Sequence, residues 1–175
     1  MDMIRTAQYF TVVVPDEPGE AARALGKLYE AGVDLLTQTF TTAAIESPPI
    51  PEGVVRDGGV KLLAFSAFPR DGGAQLDSVP SAPIAFKTAA QEANLKVKGP
   101  KLCFLAEGDD RPGGRAALMK KLADAKIDLA ALHAVSSGTG RYGAVFWVKP
   151  HDVKKAIQAL GLEEPAHDAV VIEST

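Results

Sequence analysis

One cysteine, Cys103, stands in 175 residues, which excludes an intrachain disulfide and any zinc site built on several thiolates. Basic blocks are missing as well. Lys and Arg number 19 against 22 Asp and Glu, for a formal charge of −3, so duplex nucleic acid and anionic membrane are poor partners. No apolar run approaches the ~18 residues a membrane span needs. The stretch from Phe10 to Val14, interrupted by Thr11, is too short for a secretory h-region and follows Asp2 and Arg5. A cytoplasmic protein with no membrane contact is the expectation. Hydrophobic residues at 46% and charged residues at 23% lie in the ordinary globular range, which excludes global disorder.

What is present is a repeat. Pro15-Asp16-Glu17-Pro18-Gly19 corresponds to Asp109-Asp110-Arg111-Pro112-Gly113, at an offset of 113 − 19 = 94. The same shift carries Phe10 onto Phe104, Leu28 onto Leu122, and Val33-Asp34-Leu35 onto Ile127-Asp128-Leu129. The chain reads as two duplicated units, 5–98 and 99–175. Two loops are expected to lengthen the first, Ser47–Gly59 and Pro69–Pro83.

Each unit opens with a strand, Tyr9–Val14 or Leu102–Ala106, followed by a Pro/Gly turn. Apolar residues then recur at Ala21, Ala24, Leu25, Leu28 and Tyr29, the stripe of an amphipathic helix that ends at Ala31-Gly32. Leu118, Met119, Leu122 and Ala123 repeat it. Strands are expected at 33–41 and 60–68 in the first unit and at 127–136 and 142–148 in the second. Helices follow near 82–93 and 150–160, and closing strands near 95–98 and 168–173. Strand, helix, strand, strand, helix, strand is the split βαβ, ferredoxin-like unit. The fold class is α+β: two βαββαβ units, each an antiparallel sheet with its helices on one face.

The turn between first strand and first helix carries the candidate chemistry. Proline suits a helix entry, glycine allows close approach to the backbone, and the N–H groups of a first helical turn attract a carboxylate. Asp16 and Asp110 acting only as helix caps explains the same residues without a ligand. Duplication does not separate the two readings, since a structural turn is copied as faithfully as a site.

Asp16-x-Pro18-Gly19, followed after a helix by Gly32-Val33-Asp34-Leu35, resembles the ACT domain, a small regulatory module of amino-acid metabolism. Asp110-x-Pro112-Gly113 and Lys126-Ile127-Asp128-Leu129 repeat the pattern. The resemblance implies paired units, strand one against strand one, with an amino acid bound between the turn of one unit and strand two of its neighbour. Carried over, Asp16, Pro18, Gly19 and Asp34 line one site, and Asp110, Gly113 and Asp128 the other. Asp34 and Asp128 stand where many ligand-binding members have Asn. A carboxylate accepts but does not donate, which weakens contact with a ligand carboxylate and favours an ammonium. Lys126 in place of Gly32 makes the two sites unequal.

Gly138-Thr139-Gly140-Arg141-Tyr142-Gly143 fits the dinucleotide fingerprint, but the strand expected after it replaces the helix that fingerprint requires, and a hairpin accounts for the glycines. Cys103 lies in an apolar strand and reads as a buried structural thiol. His133, His151 and His167 have no metal-ligand spacing. Arg111 and Arg115 read as solvated surface. No catalytic residue, metal or cofactor is assigned. The expected function is a non-catalytic regulatory protein that binds an amino acid, acts on a protein effector and forms a homodimer. A structural or protein-interaction module without ligand is the alternative, and a small enzyme on this scaffold the remote one.

Overall fold

The structure is a computed structural model that describes residues 3–34, 59–70, 72–111, 114–136, 138 and 140–165. The chain divides into two compact units, one of Thr11–Lys98 and one of Met1–Phe10 with Gly99–Thr175. The strands are β1 (Met3–Val14), β2 (Val33–Asp34), β3 (Val60–Arg70), β4 (Gly73–Pro80), β5 (Val97–Asp109), β6 (Leu129–Ser136) and β7 (Arg141–Val148). The helices are α1 (Glu20–Glu30), α2 (Pro83–Glu92), α3 (Gly114–Asp124) and α4 (Val153–Leu160), the last entered through a 3-10 turn at Pro150–Asp152.

In the Thr11–Lys98 unit the strand order is β2-β3-β4-β1. Val12 and Val14 of β1 and Leu76 of β4 share one face with Ala24 of α1, because alternate residues of a strand point the same way. Ala21, Leu95 and Val97 pack around this core. The stripe read for α1 buries Ala24 and Leu28 and leaves Tyr29 exposed. Pro83 opens α2, where its missing N–H has no partner to lose, and Phe86, Ala89 and Ala90 are buried.

Two expectations for this unit are corrected. The stretch Pro69–Pro83 is not a loop: it holds β4, antiparallel to β3 from Arg70↔Gly73 to Leu62↔Pro80. Asp71-Gly72 is a two-residue hairpin signal, with Gly72 at φ 72°, and it outweighs the flanking prolines. Those prolines sit where the ladder tolerates them, Pro69 one position from the turn and Pro80 at the strand end beside the Leu62/Ala64 irregularity. Among the described residues β3 and β4 form the hairpin of this unit. Of the expected strand 33–41 the structure gives Val33–Asp34, parallel to Val60–Lys61, so the sheet is mixed. Residues 35–41 and 47–58 lie outside the described residues.

The second unit has the order β1-β5-β7-β6, with Met3–Phe10 beside β5. Phe104 of β5 pairs with Phe146 of β7, and their rings stack at 5.0 Å and 10°. Leu118 and Leu122 of α3 and Ala156, Ile157 and Leu160 of α4 cover that face. Cys103 is fully buried, its Sγ 3.6 Å from the Ala7 carbonyl oxygen. The strand expected at 168–173 lies outside the described residues, and residues of β1 stand where a fourth strand belongs. Residues 5–10 were grouped by sequence repeat with the first half, whereas compactness groups them with the second. The duplicated sequence units 5–98 and 99–175 remain our proposal for the history of the chain.

Each unit is thus ferredoxin-like, a sheet with its helices on one face. Among the described residues no helix is long and apolar enough to cross a membrane.

Candidate functional site

The turn after β1 lies open. Residues Pro15 to Gly19 are all exposed. Gly19 is the N-cap of α1 at φ 92° and ψ −10°, a left-handed conformation that side chains resist. No side chain caps α1, so the capping role read for Asp16 is not observed. The Gly19 carbonyl accepts from the Arg23 N–H at 2.8 Å, and the Glu17 carbonyl accepts from the Glu20 N–H at 3.2 Å. Among the described residues no such bond engages the Ala21 or Ala22 N–H, which are helix-start donors available to a ligand or to water. A Cβ built on Gly19 meets nothing within 4 Å, so backbone conformation alone selects glycine there.

The turn after β5 is different. Asp110 is exposed, yet its carboxylate accepts from Ser136 Oγ at 2.6 Å and its N–H donates to the Gly140 carbonyl at 2.8 Å. Beside it Asp109 lies 3.2 Å from Arg111 and 3.7 Å from Arg141. These groups tie the end of β5 to the ends of β6 and β7. Ser136 and Arg141 were not found by sequence reasoning, because 26 residues separate Asp110 from Ser136 and only the strand register brings them together. Pro112 and Gly113 lie outside the described residues.

Within either unit the acid after the helix does not join the turn. Asp34 pairs with Lys61 at one end of β3, while the turn follows Val14, whose carbonyl abuts Gly73 at the other end. Nine residue steps of β3 separate those ends, roughly 30 Å at strand rise. Asp128 precedes β6 and lies 3.8 Å from Lys149. It stands at the opposite end of β6 from Ser136 and Asp110, about 25 Å away by the same measure.

The glycine-rich 138–143 stretch leads into β7, a strand, and not into a nucleotide-binding helix. His133 lies edge-on to Trp147 at 5.8 Å, and His151 lies 3.5 Å from Asp152. Among the described residues no three His, Cys, Asp or Glu side chains gather as metal ligands.

The chain matches protein BT0572 from Bacteroides thetaiotaomicron with a TM-score of 0.64 at 11% identity, over 90% of this chain and 88% of the other. It matches aspartokinase alpha and beta subunits with a TM-score of 0.50 at 13% identity, over 91% and 93%. The fold is ACT-like. The regulatory subunit of aspartate kinase from Thermus thermophilus aligns over 91% and 94% at 14% identity, with a TM-score of 0.47 that adds no weight. No family model and no curated protein matches this sequence. At these identities the likeness bears on fold alone.

Proposed function

We propose that this ACT-like protein is a non-catalytic regulatory module that binds an α-amino acid at the turn after β1. The observation that carries this reading is the turn itself: Asp16-x-Pro18-Gly19 is exposed, Gly19 is held left-handed, and no side chain caps α1. A ligand carboxylate is favoured at such a helix start by the N–H groups and the dipole. A carboxylate side chain such as Asp16 attracts the ammonium of the same molecule. The second turn is the weaker site, because Ser136 already occupies one oxygen of Asp110. Asp34 and Asp128 are proposed as ligand residues on the ACT resemblance alone.

An interaction module without ligand is the second reading, favoured by the structural ties of Asp110. A thermal-shift panel of the twenty amino acids separates the two. Binding to the folded chain raises the melting temperature, by mass action, for one or a few chemically related amino acids. No shift with any of them at millimolar concentration leaves the interaction module.

A further inference from the structure

Ser66 of β3 and Asp77 of β4 stand directly opposite each other in the ladder, so their side chains share one face of the sheet. Thr11 and Asp77 alternate with Val12 and Leu76, which pack with Ala24 of α1, so this face is the one turned away from that helix. Thr11, Ser66 and Asp77 are each 5% exposed. The Asp77 carboxylate accepts from Thr11 Oγ1 and from Gln75 Nε2, both uncharged donors. Among the described residues no Lys, Arg or His forms an ion pair with it. Arg70 stops one side chain short, on Gln75 Oε1. A buried charge is ordinarily paired, because taking it out of water is costly. Beside it the Ser66 hydroxyl, shut off from solvent, makes no hydrogen bond. Two independent features of one spot, a buried anion without a counter-charge and a buried hydroxyl without a partner, call for the same kind of group.

We propose that Asp77 and Ser66 bind a small monovalent cation, ammonium or an alkali ion of similar size. An ionised carboxylate offers about four acceptor positions. Thr11 and Gln75 take two on Oδ1 and Gln75 takes one on Oδ2, which leaves Oδ2 with room for one more contact. Ser66 Oγ contributes two unused lone pairs. Directly opposed strand residues hold their Cβ atoms about 4.5–5.5 Å apart, a span that one ion between the two oxygens bridges. One carboxylate balances one positive charge. Calcium and magnesium draw on more oxygen ligands or on substrate phosphates, so a divalent ion is the poorer fit. The cation site is separate from the proposed amino-acid site. Gly73 abuts the Val14 carbonyl at the β1 turn, and Asp77 lies four residue steps along β4 from it, about 13 Å.

The test is thermal unfolding of the full chain, followed by circular dichroism in potassium, ammonium or choline chloride at one ionic strength. Choline is the control, a cation too large for a buried site between two side chains. For the unmodified protein, potassium or ammonium is expected to raise the melting temperature saturably above its value in choline. The rise is about 3–6 °C at ten times the dissociation constant. A response to both ions identifies a site that reads charge and size, and a response to ammonium alone one that reads hydrogen-bond donors. Ser66→Ala supplies the sign test. In choline it removes an unmatched hydroxyl and is expected to melt at or above the unmodified protein, whereas in the binding salt it is expected to melt below it. Asp77→Asn is expected to lose the salt response. Equal melting of the unmodified protein in all three salts overturns the proposal. So does a Ser66→Ala loss of the same size in every salt, the mark of a bridging water only, or a salt response that survives in Asp77→Asn.

Discussion

Asp77 is an acid with 5% of its surface exposed, on the sheet of the Thr11–Lys98 unit. Thr11 Oγ1 donates to its Oδ1 at 2.7 Å, and Gln75 Nε2 donates to both oxygens at 3.1 Å. Gln75 in turn accepts from Arg70 at 2.7 Å through Oε1, so its amide orientation is fixed by a donor on one side and an acceptor on the other. A hydrogen bond to a charged group contributes about 1.5–3 kcal/mol net. Thr11→Val keeps the shape, removes one such bond, and gains at most about 0.8 kcal/mol from the added methyl. The expected cost is therefore about 1–2 kcal/mol. Asp77→Asn presents its amide to Gln75 donor to donor, or forces Gln75 to rotate and lose Arg70. We expect about 2–3 kcal/mol, the loss of one charged bond with a polar group left unmatched. In the Asp77→Asn background the Thr11 hydroxyl meets a neutral oxygen, so Thr11→Val there costs about 1 kcal/mol less. Urea titrations of the four proteins, with the slope unchanged, provide the cycle. Additivity within about 0.3 kcal/mol, or a Thr11→Val cost below about 0.5 kcal/mol, would refute the network as the reason this acid is buried.

Gly19→Ala should cost about 1–2 kcal/mol in urea unfolding, all of it from the left-handed backbone, because the added Cβ meets nothing; a neutral result contradicts the φ of 92°. Phe146→Ala removes one of two fully buried stacked rings and should cost about 3–5 kcal/mol by calorimetric or urea unfolding. Ser136→Ala should change stability by less than about 1 kcal/mol, since the bond to Asp110 is exposed, while speeding hydrogen exchange of the Asp110 amide that bonds Gly140.

The helices were legible because their burial is periodic: Ala24 with Leu28, and Leu118 with Leu122, stand one turn apart and all four are buried. β4 was hidden by three prolines in a short stretch, since composition reads them as loop while the ladder needs only that they avoid interior donor positions. β5 is one strand of 13 residues where sequence reading saw two, because Gly99-Pro100 resembles a break. The turn at Asp16–Gly19 was legible from proline and glycine chemistry. The ties of Asp110 to Ser136 and of Thr11 to Asp77 were not, since they span 26 and 66 residues and exist only through strand register. Periodicity reports which face a residue occupies, and register reports whom it meets.

The most direct test of amino-acid binding at the β1 turn is isothermal titration calorimetry of the unmodified chain and of Gly19→Val. Each is titrated with the amino acid that gives the largest thermal shift, or with all twenty if none does. The account predicts a saturable heat for the unmodified chain and none for Gly19→Val, whose branched side chain cannot adopt the left-handed turn and obstructs the helix-start N–H groups. Flat titrations of the unmodified chain with every amino acid at millimolar concentration, or equal heats from both proteins, would contradict it.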